Sequence, residues 1–256
     1  MSRTRSIAES LRQPMAQNSK SAIPNSKSDL SRYDQKLEHI LRTAARIFAE
    51  KSYHSTSMRD ISRATGVSLA GLYHYCKSKD ELLFLIQDHC FARVVERLET
   101  RLKETPDAIE RVRIFIDNHL SFFAANMSEM KVLSHEADSL EGELSDHVSD
   151  QKRRYTRLAR RILAEVQRHS GASRNDPGGL TVATYALFGM MNWIYNWYDP
   201  KGTLSVAELV DSITKLFLTG FLSNAGDARF TVSSSTSTEN LSVWRASKIK
   251  SVTRTR

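Results

Sequence analysis

The sequence predicts an all-α protein in which a small N-terminal head of three helices precedes a larger helical body. Between Asp34 and about Ser223, apolar residues recur at the i, i+3, i+4 spacing of one-sided helices, and Pro- or Gly-containing segments interrupt them. No stretch alternates apolar and polar residues for long enough to predict a sheet. With 40% apolar residues in 256, the chain can bury a sizeable core.

The first predicted helix begins at Asp34 and presents a single apolar stripe. Its members are Leu37, Ile40, Leu41, Ala44, Ile47 and Phe48. Residues 1–32 hold eight Ser and carry a net charge of +4, without an apolar period, and are predicted to be a disordered basic tail. An organelle transit peptide has a similar composition, but this segment lacks a convincing amphipathic stripe.

Closely spaced helix-capping and helix-ending residues mark two short helices after this first one. Ser57 can cap the segment MRDISRAT, with Asp60 completing a capping-box-like pair, and Gly66 can supply the positive φ that ends it. Ser68 can cap a second short helix, LAGLYHYC. The sequence therefore predicts two short helices joined by a turn that contains glycine.

A third, longer helix follows, opened by an S-x-x-E capping box at Ser78 and Glu81. Two short helices joined by such a turn, behind an amphipathic helix, form a helix-turn-helix. The alternative is three packed helices of some other bundle. The side chains predicted to hold the short helices together are Ile61, Ala64, Val67, Leu72 and Cys76.

Groove geometry indicates how such a head binds duplex DNA, since the second short helix presents its first turns to base edges in the major groove. That helix contains no Lys or Arg, so Arg59 in the preceding helix is the candidate for a guanine contact. Tyr75 and Lys79 are placed where phosphates pass. The predicted DNA-binding residues are Ser57, Arg59, Ser68, Leu69, Ala70, Gly71, Tyr73, His74, Tyr75 and Lys79.

The charge distribution agrees with a polyanion-binding head. Residues 33–80 carry a net +3 and residues 81–223 a net −3, while the tails 1–32 and 224–256 carry +4 each. These four ranges are the predicted domains: basic tail, DNA-binding head, ligand-binding and dimerisation body, and a second Ser/Thr-rich basic tail.

The stretch FAEKSYHSTSMRDISRATGVSLAGLYHYCKSKDELL resembles the DNA-binding domain of the TetR/AcrR repressors, from about Leu37 to Leu85. The resemblance implies about nine helices, a C-terminal dimerisation region and a small-molecule inducer. A dimer whose two heads are spaced one or more helical turns apart is expected to bind a palindromic operator. Two residues depart from the family pattern. Ser52 stands where the family usually has Gly, which predicts a strained turn, and Cys76 stands where it usually has an aromatic residue.

Two C-terminal apolar segments predict a homodimer. The segment TVATYALFGMMNWIYNW is apolar nearly all round, so it needs covering on two sides, by the body's core and by a partner. A monomer that buries both segments internally is the alternative. The predicted interface residues on the last helix are Val206, Leu209, Val210, Ile213, Phe217 and Phe221.

The body is predicted to hold a small-molecule effector between its helices. The candidate lining residues are Phe122, Phe123, Met127, Arg153, Arg157, Met190, Trp193 and Trp197. Aromatic and Met side chains at helical spacing are more often plain core, and the basic run KRRYTRLARR is alternatively a solvated helix face. The more specific interpretation is that the arginines of this run bind phosphate groups of the effector.

Short C-terminal motifs narrow the effector class by resemblance. The segments KRRY and GMMNW…WYDPKGTLS resemble TetR/AcrR regulators of fatty-acid, aromatic-acid and steroid catabolism, whose effectors are commonly acyl-coenzyme A thioesters. An acyl-CoA thioester is therefore the effector that this resemblance implies, with no other cofactor.

The remaining composition argues against other classes. Cys76 and Cys90 form no metal-ligand motif, no apolar stretch is long enough for a membrane span, and a reducing cytoplasm is the predicted location. No catalytic or metal motif is present in the sequence, so an enzyme is the less favoured alternative. A ligand-independent architectural DNA-binding protein is the third hypothesis.

Overall fold

A computed structural model describes residues 32–169 and 177–222. Within these ranges the chain forms nine α-helices, one short 3-10 helix at Trp193–Asn196 and no strand. The predicted basic tails 1–32 and 224–256 lie outside the described residues, except for Arg32. The helices are α1 (Arg32–Lys51), α2 (Met58–Thr65), α3 (Leu69–Leu72), α4 (Lys79–Leu102), α5 (Ala108–Ala124), α6 (Met127–His135), α7 (Gly142–His169), α8 (Pro177–Asn192) and α9 (Val206–Leu222).

Helices α1 to α3 and the start of α4 form the predicted head. Ser57 caps α2 through a reciprocal capping box with Asp60, and Gly66 ends it with φ at 67°. The apolar stripe of α1 packs on Ile61 and Leu72. Ala64, which was predicted to pack between the short helices, is exposed instead. Thr65 takes the buried position, because its hydroxyl can donate to the carbonyl of Ile61 at 2.8 Å.

Two details of the head differ from the sequence prediction. The predicted eight-residue helix LAGLYHYC is α-helical only to Leu72, after which His74 and Tyr75 donate i→i−3 hydrogen bonds that tighten the chain. Ser78 caps α4 as expected, accepting from the N–H of Glu81 at 3.0 Å. The Glu81 carboxylate, however, accepts from the N–H of Lys77 rather than from that of Ser78.

The strained turn predicted at Ser52 is confirmed. Ser52 has φ at 68° and is the one described residue other than glycine with a positive φ. The turn is held by the Thr56 hydroxyl, which donates to the carbonyl of Ser52 at 2.8 Å. A side chain in this left-handed region costs free energy that glycine would not.

The body is built around α5, which packs against α4, α7 and α9. Its inner face is fully buried at Val112, Phe115, Ile116 and Leu120. Two predicted helix interruptions are confirmed. Helix α4 ends before Pro106, and the segment Asp199–Gly202 forms a turn in which the N–H of Gly202 donates to the carbonyl of Asp199 at 2.9 Å. These helices enclose the space in which a ligand site is expected.

Head and body share α4 rather than meeting at a linker. The buried residues of the first half of α4 belong to the head core, and those of its second half, from Val94 onward, belong to the body core. Val132, Leu140 and Val148 from the α6–α7 region also pack into the head core. The predicted boundary at residues 80 and 81 therefore falls at the start of a helix that both parts use.

Candidate DNA-binding and ligand-binding sites

The outer surface of the head carries several of the predicted DNA-binding side chains. Arg59, Tyr73 and His74 are exposed, and Arg59 forms no ion pair with any carboxylate in the described ranges. Leu69 and the small residues Ala70 and Gly71 form the first turn of α3. Gly71 is closely packed, because an added Cβ atom would lie 3.0 Å from the side chain of Val67 and 3.1 Å from that of Ser68.

The remaining predicted contacts already have intramolecular partners. The hydroxyl of Ser68 accepts from the N–H of Gly71 at 3.0 Å, and the ring of Tyr75 stacks on that of Tyr33 at 4.9 Å. The ammonium of Lys79 donates to the carbonyls of Tyr53 and Thr56, each at 3.0 Å. Lys79 thus anchors the turn between α1 and α2, a role that the sequence pattern did not indicate.

A cavity of about 640 Å³ lies in the body between α5, α7 and α8. Apolar and aromatic side chains such as Phe123, Phe188 and Phe91 form much of its wall. A volume of this size suits a small-molecule ligand. Of the eight predicted ligand residues, Phe123, Arg153 and Arg157 line this cavity.

The other predicted ligand residues lie elsewhere. Phe122, Met127 and Met190 are half-buried and pack against the body core, which is the alternative that their helical spacing favoured. Trp193 and Trp197 are 60% and 53% exposed on the outer surface. None of these five lines the cavity. Their apolar character alone did not indicate which side of the core each would face.

Basic side chains of α7 form one wall of the cavity. Arg153, Arg157 and Arg160 lie along one exposed helix face, with Lys152 beside them. Arg153 is paired with Asp150 at 2.7 Å, whereas Arg157 and Arg160 pair with no carboxylate among the described residues. Burial lowers the pKa of Lys152, and Asp138 partly opposes that shift.

Polar residues of α5, α7 and α8 also line the cavity and were not predicted from the sequence. His119 of α5 lies on the cavity wall with Tyr155, Thr184 and Asn192. His119 is 2% exposed, and burial lowers the pKa of its imidazole to about 3. The available signal was a histidine inside the apolar helix segment RIFIDNHLSFF, which does not reveal a cavity by itself.

The residues predicted for the dimer interface mostly face inward. Leu209, Val210, Ile213 and Phe217 are buried against the body core, and Val206 and Phe221 are half-buried there, because α9 packs along α5. That assignment is corrected by this packing. The exposed apolar side chains of α8, of the 3-10 helix that follows it and of α9 include instead Val182, Tyr185, Trp193 and Leu216.

Other site types find no support in the described ranges. There, no cluster of His, Cys, Asp or Glu side chains has an arrangement that could hold a metal ion. Both cysteines are buried and unpaired, and burial raises the pKa of each thiol, to about 11 for Cys76. None of the described helices combines the length and apolar character of a membrane span.

Comparisons with known proteins match both parts of the chain. Residues 40–86 match the family described as bacterial regulatory proteins, tetR family, and residues 105–221 match the tetracyclin repressor-like C-terminal domain. The fatty acid metabolism regulator protein of Bacillus subtilis strain 168 is 25% identical over 189 residues, which cover 72% of this chain and 95% of that protein.

Two solved structures resemble the fold over almost their whole length. The TetR family regulator PfmR from Thermus thermophilus is 30% identical, with a TM-score of 0.63, covering 70% of this chain and 97% of that one. AibR, solved in complex with isovaleryl coenzyme A and operator DNA, is 26% identical, with a TM-score of 0.63 and coverage of 71% and 97%. These relatives are regulators rather than enzymes, as the sequence predicted. The chain belongs to the TetR family of bacterial regulatory proteins, with its DNA-binding helix-turn-helix in the head and the tetracyclin repressor-like domain as its body.

Proposed function

We propose that this chain is a ligand-responsive repressor that binds a palindromic operator as a homodimer and is released by an acyl-CoA thioester. One observation carries the effector assignment: an apolar cavity in the body is bordered along one wall by arginines of α7. An acyl group suits the apolar part of such a site, and phosphates suit its arginines.

The phosphate part of the proposal rests on Arg157 and Arg160. Both line the cavity, are exposed, and form no ion pair with a described carboxylate. Arg binds phosphoryl oxygens through two parallel hydrogen bonds, and a coenzyme A moiety carries three phosphates. The complex of AibR with isovaleryl coenzyme A and operator DNA supports the same ligand class, because AibR is a relative of similar fold.

The dimer part of the proposal rests on exposed apolar side chains of α8, of the 3-10 helix that follows it and of α9. Val182, Tyr185, Trp193 and Leu216 are each at least 60% exposed, and such apolar surface on a regulatory protein marks an interaction site. Added Cβ atoms at Gly189 and Gly220 would meet nothing within 4 Å, so a partner backbone can approach closely. A two-fold dimer would present two heads to the two halves of a palindrome.

The proposed switch is a shift between two body conformations. Because α4 belongs to both cores, a tilt of its second half toward or away from α5 changes the position of its head end. The effector must bind the DNA-incompetent state more tightly for such a shift to occur. Reciprocally, operator DNA weakens effector binding by the same factor.

The test is a titration of the protein–operator complex with acyl-CoA. An operator is selected from random duplex DNA, labelled with a fluorophore and followed by anisotropy while octanoyl-CoA, free CoA or octanoate is added. We expect release by the thioester at a concentration well below that needed with either fragment. The Arg157→Ala/Arg160→Ala double variant should require about tenfold or more of the thioester.

A matched control separates a cavity effect from a general loss of positive charge. Arg154 lies on the same helix but pairs with Glu99 at 2.8 Å and does not line the cavity. The Arg154→Ala variant should respond to the thioester like the wild type. Equal sensitivity in all three proteins, or no release by acyl-CoA thioesters of several chain types, contradicts the proposed effector class.

A further inference from the structure

His119 presents a buried polar atom that the protein itself does not satisfy. The residue lies on the cavity wall, yet its Nε2 atom makes no hydrogen bond to another protein atom. Its other nitrogen, Nδ1, lies 3.3 Å from the hydroxyl of Tyr155. Buried polar atoms in native proteins are nearly always satisfied, so this nitrogen indicates a missing partner.

The contact between Tyr155 and His119 is compatible with a proton on the Nε2 atom of His119. The amide of Asn118 donates to the carbonyl of Val94 at 3.0 Å, and its interaction with Tyr155 opposes part of the rise in the pKa of Tyr155 that burial causes. The hydroxyl of Tyr155, 3.3 Å from Nδ1 of His119, can donate its proton to that nitrogen. A neutral imidazole with Nδ1 as acceptor carries its hydrogen on Nε2.

The surroundings of the ring keep it neutral. Phe123 and Phe188 pack against the imidazole with centroid distances of 4.7 and 6.1 Å, and burial lowers its pKa to about 3. A side-chain interaction with Asn192 raises this pKa by less than burial lowers it, while Nε2 has no protein partner at normal hydrogen-bonding geometry. His119 can therefore offer one neutral N–H donor to an acceptor atom of a ligand.

We infer that the Nε2–H of His119 donates a hydrogen bond to a carbonyl oxygen of the effector, and that His119 is thus a specificity-determining residue of the cavity. The inference rests on the proposed function for the thioester, since a thioester carbonyl supplies such an oxygen. A site that offers a buried donor discriminates strongly against an analogue that leaves the donor unpaired.

The first test compares two CoA compounds that differ only in this oxygen. Octanoyl-CoA carries the carbonyl, and the thioether S-octyl-CoA does not. By calorimetry, the wild-type protein should bind the thioester about tenfold or more tightly than the thioether. The His119→Phe variant keeps an aromatic ring but has no donor, so its preference should fall to about twofold or less.

A matched variant controls for altered cavity shape. Phe188 lines the same cavity and contacts the same ring, but has no polar atom. The Phe188→Leu variant should change both affinities while keeping their ratio within about twofold of the wild type. If the wild-type ratio is near one, or if His119→Phe leaves it unchanged, the inference is wrong.

A second test does not depend on coenzyme A. Nitrogen-15 NMR assigns the His119 tautomer by difference from His119→Phe, and 2-undecanone is compared with undecane as a pair of carbonyl and hydrocarbon probes. An Nε2–H tautomer and a preference for the ketone support the inference, even if no CoA compound binds and the proposed effector class fails. An Nδ1–H tautomer, or equal binding of the two probes, overturns it.

Discussion

The backbone N–H of Tyr53 donates a 3.0 Å hydrogen bond to Oε1 of Glu136, and this bond joins the head directly to the body. Tyr53 lies in the turn after α1, while Glu136 follows α6 and is 6% exposed. The second carboxylate oxygen accepts from the hydroxyl of Ser139 at 2.7 Å, and the side chain of Gln87 donates to the carbonyl of Glu136 at 3.1 Å. Glu136 therefore connects the head turn, α4 and the body at one buried point.

Removing the carboxylate of Glu136 should destabilise the protein. In Glu136→Ala the buried N–H of Tyr53 loses its acceptor, which costs about 1–3 kcal/mol in the free energy of unfolding. Glu136→Gln retains an oxygen that can accept from the same N–H, so it should lose less. Urea denaturation measures both. The control is Glu141→Ala, an exposed carboxylate in the same connection, and a loss as large as that of Glu136→Ala would contradict the assignment.

Replacing Ser52 by glycine should stabilise the head. A φ of 68° costs a residue with a side chain about 1–2 kcal/mol, and glycine avoids this cost. Glycine also loses more backbone entropy on folding, which offsets part of the gain. The expected net increase in the free energy of unfolding is about 0.5–1 kcal/mol. The substitution also removes an exposed 3.2 Å hydrogen bond between the hydroxyls of Ser52 and Ser55. Thermal unfolding of both variants separates the two effects, because Ser55→Ala removes only the hydrogen bond, whereas Ser52→Gly removes the hydrogen bond and the backbone strain. A lower Tm for Ser52→Gly than for the wild type would contradict the proposed strain.

The head was largely predictable because its signals are local. Ser57 with Asp60, and Ser68 with the N–H of Gly71, form their hydrogen bonds within three residues of sequence, so the chain itself encodes these helix starts. The left-handed conformation of Ser52 was predicted differently, from the glycine that the resembled family usually has at this position. Ala64 and Thr65 show the limit of this reasoning. Ala64 was predicted to be buried, but it is exposed and its neighbour Thr65 is buried instead.

The sites of the body were less predictable because they depend on which helix covers which face. The last helix is apolar on both sides, and only the packing of α5 against it decides that Phe217 is buried while Leu216 is exposed. Arg153 and Arg157 were visible from their four-residue spacing along one helix. His119 and Tyr155 are 36 positions apart in sequence, so their contact and the cavity beside it follow from tertiary packing alone.

Arg59 should determine base specificity rather than general DNA affinity. If it contacts a guanine, Arg59→Ala costs about 1–3 kcal/mol of operator binding and relaxes the preference at that base pair. The matched control is Arg63→Ala, which removes the same charge from the same helix, where Arg63 lies 3.6 Å from Asp60. Anisotropy titrations on the selected operator and on single-base variants measure both. An equal, sequence-independent loss in the two variants would indicate that Arg59 contacts only phosphate.

The exposed face of α8 and α9 should be the dimer interface. Leu216 and Phe217 are adjacent on α9, but Leu216 is 69% exposed while Phe217 is buried. We expect Leu216→Asp to raise the dimer dissociation constant about tenfold or more without loss of helix, because it places a charge in an apolar contact. Phe217→Asp should instead lower the free energy of unfolding by several kcal/mol. Sedimentation with circular dichroism distinguishes them; a Leu216→Asp protein that stays fully dimeric would exclude this face.

The neutral imidazole of His119 should make the stability of the protein depend on pH. Its pKa in the folded state, about 3, lies below the ordinary value of 6.5, so the unfolded chain binds this proton more tightly than the folded chain does. Above pH 6.5 the residue is neutral in both states and has no effect on the pH dependence. Below pH 6.5 it favours unfolding, by up to about 1.4 kcal/mol for each pH unit as the pH falls toward 3.

Comparison with His119→Phe isolates this contribution from that of the carboxylates, which titrate in both proteins. Over the range from pH 7.5 to 4.5, the wild type should lose roughly 2–3 kcal/mol more of its free energy of unfolding than the variant does. Urea denaturation at half-unit pH steps measures the difference. If the two curves run parallel below pH 6.5, His119 takes up a proton in the folded state, and the cavity then holds a cation rather than a neutral donor.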